Sequence, residues 1–347
     1  MSKKHSEIVE KLTKNQIVES HLMENPDIPS RTLARILHKE HPVTFPSAEN
    51  ARHAVRNVRG AYGEANRKKR KKAGKEKFFR KPPDPKNWFG KIPDSISQHE
   101  TEWGSVPIDI EKALCLFDVH VPFHSKEALE IALQFGLDNG CTDVVIAGDF
   151  MDSFSTGYFR RDPTIVQYKE ELQTAREMLE VIRNLFPDGN IYFKEGNHEE
   201  RNQSYLELNA PVLLGIEDFE LKKILKLEEM DIKYIGEKRP LTVDKLNIIH
   251  GHEFASSPYN PVNPARGYFL RAKAICLGGH YHQTSEHTEM SLDGKLTSVW
   301  SAGCLCNLHP RWCPINKWNH GFAVVDTTAK SKRFKVDNYR IIKGEVL

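Results

Sequence analysis

Histidine, aspartate and asparagine recur along this chain in short clusters, each at the end of an apolar run. Asp118 and His120 follow ALCLF, Asp149 and Asp152 follow DVVIA, and Asn197 and His198 follow NIYFK. His250 and His252 close LNIIHGH, and His280 and His282 follow AICLG. These are the side chains that hold divalent metal ions of borderline hardness, and Asp and His are also common proton-transfer groups. A single Asp behind a strand is ordinarily a helix cap, and a single buried His a satisfied core residue. Five clusters in succession are different, because a packed core gains nothing from burying titratable groups that are neither paired nor metal-bound. The pattern therefore predicts one metal-dependent site fed by five chain segments.

Those segments must be brought to one place. Apolar runs at 113–117, 143–147, 190–194, 246–250 and 274–278 alternate with helical stretches at 126–137 and 164–185, the pattern of an α/β protein with a largely buried sheet. In open α/β sheets ligands bind beyond the carboxyl ends of the strands, where all five clusters fall. Asp-x-His and His-x-His put both side chains on one side of an extended segment, since side-chain direction alternates with period two. Glycines at 148, 196, 251, 278 and 279 permit tight turns and close backbone approach. Segments 284–290 and 296–301 flank Asp293-Gly294, a hairpin signal, and GFAVVD at 321–326 reads as the last strand.

The order D-x-H, G-D-x-x-D, G-N-H-E, H-G-H, G-H-x-H across residues 113–326 resembles the calcineurin-like metallophosphoesterase superfamily. The resemblance implies an α/β fold, the calcineurin-like four-layer αββα sandwich, with two divalent metal ions at one edge. Carried over by motif position, it implies that Asp118, His120 and His282 hold one ion, that Asn197, His250 and His280 hold the other, and that Asp149 bridges both. His198 is then the catalytic histidine and Asp152 its orienting partner. The implied activity is hydrolysis of phosphate esters by a hydroxide bridging ions about 3.5–4 Å apart, with His198 protonating the leaving oxygen. The mixed N/O ligand set suits Mn, Fe, Zn or Ni. The block GDFMDSF lacks the Arg-Gly of the protein Ser/Thr phosphatases, which speaks against that class. Arg201, His252, Arg160 and Arg161 are candidates for holding a substrate phosphate, with solvent-exposed helix arginines as the plainer reading. Cys304, Cys306, His309 and Cys313 form either a zinc site of uncommon spacing or a loop roofing the active site. In the second case Trp312, Trp318 and His309 are candidates to stack on a base or sugar.

The N-terminal part differs in charge. Residues 1–90 carry 21 Lys/Arg and 10 Asp/Glu, whereas the remainder carries 29 and 37, a basic appendage on an acidic body. Three short helical patterns, the second and third opening at Ser30 and Ser47, make a small module of helix-turn-helix outline. Arg52, Arg56 and Arg59 share a face of its third helix. The run at 67–81, which includes Lys68, Lys69 and Arg70, holds ten Lys/Arg in fifteen positions. It reads as a phosphate-backbone clamp or as a solubilising linker. The expected division is a helical basic module at 1–72, a basic, Pro-rich linker at 73–105 and a metallophosphoesterase domain at 106–347. The expected function is a phosphodiesterase acting on or near nucleic acid. The alternatives are a phosphomonoesterase of nucleotides or small phosphates, and a nucleic-acid-binding regulator with a vestigial site. No apolar run approaches the ~20 residues that cross a bilayer, and MSKKHSEIVEK is no secretory signal. The expectation is a cytoplasmic protein without membrane partner, bacterial or phage-encoded.

Overall fold

The computed structural model describes residues 12–80, 86–96, 103–158, 162, 164–254, 262–328 and 334–347. The chain separates into two compact units, Met1–Ile96 and Ser97–Leu347.

In the first unit, helices α1 (Lys14–Glu24), α2 (Ser30–Glu40) and α3 (Ala48–Val58) pack around Val18, Leu22, Leu33, Leu37, Phe45, Val55 and Val58. Thr13 opens α1 with a capping box through Gln16, and Ser47 caps α3 by accepting from Asn50 N–H. Ser30 is the first residue of α2 rather than its cap, which falls on Pro29. A fourth helix, α4 (Gly63–Lys72), carries the basic run. The unit does not end at 72. Phe78 is buried in the same core, and Lys75 Nζ lies 2.7 Å from Glu19.

Two residues of the expected nucleic-acid face are structural instead. Arg59 is 4% exposed, and its guanidinium donates to Ser30 Oγ (2.8 Å), Pro26 O (3.1 Å) and Ile28 O (2.6 Å), tying down the turn between α1 and α2. Arg70 is buried against Glu19, 2.6 Å away. A charge taken out of water must find a partner, and both have done so within the unit.

In the second unit a seven-stranded sheet is built from β2 (Lys112–Leu116), β3 (Asp143–Ala147), β4 (Ile191–Lys194), β5 (Ile232–Ile235), β11 (His320–Asp326), β12 (Lys335–Ile342) and β13 (Glu345–Val346). A six-stranded sheet is built from β1 (Val106–Pro107), β6 (Leu241–Val243), β7 (Leu246–Ile248), β8 (Cys276–Gly278), β9 (Ser285–Met290) and β10 (Leu296–Ser301). The orders are β13-β12-β11-β2-β3-β4-β5 and β1-β6-β7-β8-β10-β9. Strands β2 to β5 run parallel.

Alternation along each strand sets the layers. Ala113, Cys115, Val145 and Ala147 face Leu241, Ile248 and Leu277 of the other sheet. Leu114, Leu116, Val144 and Ile146 face the opposite way, against Ala132 and Leu133 of helix Lys126–Asp138 and Leu179 and Ile182 of helix Tyr168–Leu185. Ala265 and Tyr268 of helix Pro264–Ala272 cover the outer side of the smaller sheet. Because β2 and β3 are covered on both faces, they read as continuous apolar runs. The hairpin at Asp293-Gly294 forms as expected between β9 and β10. The strand at 321–326 is not the last, since β12 and β13 follow it.

Helix Tyr168–Leu185 also buries a carboxyl group. Glu171 is fully buried, and burial, then Asp152, push it up to about 8 from an ordinary 4.5. The folded chain thus keeps a proton that the unfolded chain releases near 4.5. Its contribution is complete below that pH and lost as pH rises toward 8. Glu171→Gln should stabilise the protein at pH 8.5 by about 4–5 kcal/mol and by less than about 1 kcal/mol at pH 5. Glu195 and Glu199 shift in the same direction, to about 7, so the difference between wild type and variant isolates Glu171. Thermal melts at the two pH values decide it, and an equal shift at both would remove the buried proton as the cause.

Candidate active site

The five clusters converge beyond the carboxyl ends of β2, β3, β4, β7 and β8. Asp118, His120, Asp149, His280 and His282 share one backbone feature, φ between 52° and 67°. The expectation of an extended Asp-x-His is therefore corrected. The chain turns sharply at the strand end, and left-handed residues aim the side chains at one point. Non-glycine residues hold that conformation at a cost of ~1–3 kcal/mol each, which the surrounding structure must offset. Gly148 is needed for a further reason. It has φ 93°, and a Cβ there would lie 2.4 Å from His250 Nδ1.

Asp149 stands in the middle. Its Oδ2 is 3.2 Å from His250 Nε2, 3.7 Å from His198 Nε2 and 3.8 Å from His120 Nε2. On one side His120 Nε2 and His282 Nε2 are 3.3 Å apart, and Asp118 Oδ1 is 3.3 Å from the latter. On the other side His250 Nε2 is 3.1 Å from Asn197 Oδ1, and ligand atoms of Asp149, His250 and His280 lie within 4.8 Å of one another. The proximity to Asp149 and Asp118 raises His250 to about 9 in spite of its burial, while burial and His250 hold His280 down, near 4.

The donor set fits two divalent ions on the structure's own terms. His120 Nδ1 donates to Asp152 Oδ1 (3.0 Å) and His250 Nδ1 to Ala147 O (3.1 Å). Each ring is thereby left with its Nε2 turned inward, as a metal-binding imidazole is usually held. Asp118 Oδ1 is buried with no hydrogen-bond donor, an acceptor that a cation would satisfy. Asp118, His120 and His282 would hold one ion, and Asn197, His250 and His280 the other, with Asp149 shared.

Asp152 orients His198, chiefly through its main chain, and supports a second ring as well. Its carboxylate bonds His120, whereas His198 Nδ1 donates to the Asp152 main-chain carbonyl (2.7 Å) and lies 3.4 Å from the carboxylate. Arg201 reaches the site, with Nη1 on Asp152 O (2.9 Å) and Nη2 2.7 Å from His198 Nε2. Burial, with His120 and Arg201 nearby, lowers the His198 pKa in spite of Asp149. His252 does not face the ligand atoms. It is bonded to Glu200 (2.9 Å) behind His250. Arg160 and Arg161 lie outside the described residues.

Glu199 of the G-N-H-E block, and two residues that pattern reading missed, Lys194 and Glu253, organise the centre. Glu199 accepts from Asp149 N–H (3.0 Å), Gly196 N–H (2.8 Å) and Met151 N–H (2.8 Å). Glu253 accepts from His250 N–H (2.8 Å) and Gly251 N–H (2.6 Å), and Lys194 Nζ lies 2.9 Å from it. Glu199 was visible in G-N-H-E, but nothing local marks Lys194 and Glu253 as a pair.

The segment after β10 roofs the site. A cavity of about 620 Å³ has His120, His198 and His282 at its floor and Phe154, Trp312 and Trp318 in its walls. The Trp318 ring centroid is 4.1 Å from that of His282, and Trp312 packs edge-on against Trp318. Of the cysteines, Cys306 Sγ lies 3.7 Å from His282 Nδ1, whereas Cys313 turns to Ile315 O and His309 to Pro314 O. The four residues Cys304, Cys306, His309 and Cys313 do not converge among the described residues.

Two stacked sheets with helices outside, and this ligand order at the strand ends, agree with the architecture expected from the resemblance in the sequence. No family model matches the sequence. The Gene 54 protein of Mycobacterium phage L5 is 23% identical over 256 residues, covering 67% of this chain and 95% of that protein. Among solved structures, a Vps29 mutant from Entamoeba histolytica matches 68% of this chain and 96% of its own at 14% identity and a TM-score of 0.36. Yfce, a phosphoesterase from E. coli, matches 65% and 98% at 13% identity and a TM-score of 0.33. A dimetal phosphatase from Danio rerio matches 67% and 96% at 10% identity and a TM-score of 0.34. Among the described residues no helix is long and apolar enough to cross a membrane.

Proposed function

We propose that this chain is a dinuclear-metal phosphoesterase that cleaves phosphodiesters, with nucleic acid as its substrate, in a phage or bacterial setting. The observation that carries the hydrolytic reading is the convergence of Asp118, His120, Asp149, Asn197, His250 and His282, with nitrogen and oxygen ligand atoms facing one another at 3.1–4.0 Å, and of His280, whose ligand atom lies within 4.8 Å of those of Asp149 and His250. Two divalent ions held there would supply an acidified water and charge neutralisation for the phosphoryl oxygens. The chain's own groups do the rest. Asp152 and the Ala147 carbonyl fix the rings of His120 and His250. His198 Nε2, on the cavity floor, is placed to exchange a proton with the leaving oxygen, and Arg201 beside it can donate to a phosphoryl oxygen.

The diester preference is supported by the cavity over His120 and His282. A monoester brings one organic group to the site and a diester brings two. Here Phe154, Trp312 and Trp318 offer faces on which a second, planar ester group such as a base can stack.

The test is hydrolysis of bis-p-nitrophenyl phosphate against p-nitrophenyl phosphate after chelation, with Mn, Ni, Zn, Fe or Mg restored singly. The expected result is no turnover in the stripped protein, recovery with one or more of the ions, and at least about tenfold higher kcat/KM on the diester. Preference for the monoester would give the phosphomonoesterase reading instead. Inactivity with every ion would leave a binding protein.

A further inference from the structure

The helical unit contains a concavity that the hydrolytic chemistry does not use. It has a volume of about 840 Å³ and lies among the start of α2, the second half of α3 and the start of α4. Six arginines line it: Arg31, Arg52, Arg56, Arg59, Arg67 and Arg80. Glu64 is the carboxylate in its wall, and Lys68 lies 3.2 Å from it.

Two of the six are committed. Arg59 is spent on the carbonyls of the α1–α2 turn, and Arg52 pairs with Glu49 at 3.0 Å. Arg31, Arg56, Arg67 and Arg80 have no carboxylate partner among the described residues. Arg56 lies over the Tyr62 ring at 5.1 Å and Arg67 over the Phe79 ring at 5.7 Å. Stacking orients a guanidinium yet leaves its in-plane N–H donors free, the form in which arginine meets a phosphate. The cationic groups also crowd one another. Burial, and then the neighbouring Arg80, hold Arg59 below the usual guanidinium range. Like charges gathered in a concave wall focus a positive potential that an entering anion relieves.

We propose that this cavity seats backbone phosphates of a nucleic-acid strand, gripped by Arg31, Arg56, Arg67 and Arg80. A strand fits better than a lone phosphate because the free guanidiniums come from different elements. The exposed Lys68 and Lys69 on α4 continue the basic surface. The inference rests on nucleic acid being the partner and is independent of what the second unit hydrolyses. It replaces Arg59 and Arg70 by Arg31, Arg67 and Arg80 as phosphate contacts.

The experiment uses the full chain and a fluorescein-labelled oligonucleotide, as single-stranded DNA, duplex and RNA, with anisotropy read between about 50 and 200 mM salt. Arg31→Gln with Arg80→Gln removes two exposed cavity charges, and Lys39→Gln with Lys77→Gln removes two exposed charges outside the lining. The cavity variant is expected to bind about tenfold or more weakly and to lose roughly 1.4–1.8 from the slope of log K on log salt. The control should change less than about threefold. Both should melt like wild type. Equal weakening in the two variants would reduce the binding to diffuse charge and overturn the cavity, as would a cavity variant that binds like wild type. If wild type binds no oligonucleotide while inorganic tripolyphosphate binds it by calorimetry and does not bind the cavity variant, the nucleic-acid partner itself is refuted.

Discussion

Replacing Asp149 by asparagine is expected to lower kcat/KM for bis-p-nitrophenyl phosphate by about 10³-fold or more, corresponding to ~4 kcal/mol of lost charge stabilisation. The same change should reduce the metal content of the purified chain. Asp149 is 2% exposed, with its Oδ2 turned toward His120, His198 and His250. An amide keeps the shape, and its carbonyl can still accept from His198 N–H, which now donates to Oδ1 at 2.9 Å. What is lost is the negative charge and the one oxygen placed to serve both ligand groups, so a structural explanation for inactivity is weak. Asp152→Asn is the matched comparison. Its carboxylate bonds His120 from behind, and substitutions of such supporting groups typically cost 10–100-fold. Metal analysis of both variants separates the roles. An Asp149→Asn protein that retains two ions per chain and activity within about tenfold of wild type would exclude Asp149 as the shared ligand.

The contrast between these two aspartates also marks what can be read from sequence. The ligand clusters are legible because each follows an apolar run, and because a barely exposed Asp149 or His250 makes no sense as core packing. The stacking of the sheets follows from runs such as ALCLF and DVVIA, apolar on both faces. The rest depends on contacts across the fold. Asp152 is one residue from Met151 and four from Gly148, yet it serves His120, 32 residues earlier. Arg70 looks like its lysine neighbours until Glu19, 51 residues away, draws it inward. Strand β12 mixes Val336, Tyr339 and Ile341 with charged and polar residues, and β13 has two residues at the sheet edge, so no apolar run announces them. The left-handed backbone at Asp118, His120, Asp149, His280 and His282 has no glycine to signal it. It is imposed by the packed loops, and its presence at five ligand positions links backbone strain to preorganisation of the site.

The second large effect concerns a buried ion pair behind that site. Lys194→Met is expected to destabilise the protein by about 3–5 kcal/mol at neutral pH, lowering its melting temperature by roughly 10 °C. Lys194 ends β4 with no exposed surface, and its Nζ sits 2.9 Å from Glu253. That contact is an ion pair without the alignment of a hydrogen bond, since Nζ has no hydrogen-bond acceptor. Methionine fills the space but leaves the Glu253 carboxylate unpaired in the interior, and an unpaired buried charge costs far more than a well-packed neutral pair. Burial alone would raise the Glu253 pKa, but Lys194, then His252, pull it down to about 2 from an ordinary 4.5. The stabilisation is therefore present above about pH 4.5 and lost as pH falls toward 2. The gap between wild type and Lys194→Met should accordingly narrow in acid. Glu253→Gln added to Lys194→Met should recover part of the loss, because it removes the unpaired charge while its single amide oxygen can replace only one of the two carboxylate oxygens that accept from His250 and Gly251 N–H. These bonds aim His250, so the single variant should also bind metal about 10–100-fold more weakly. Melting and metal titration of the two singles and the double form one cycle. A double variant no more stable than Lys194→Met would show that the lysine acts through packing rather than charge.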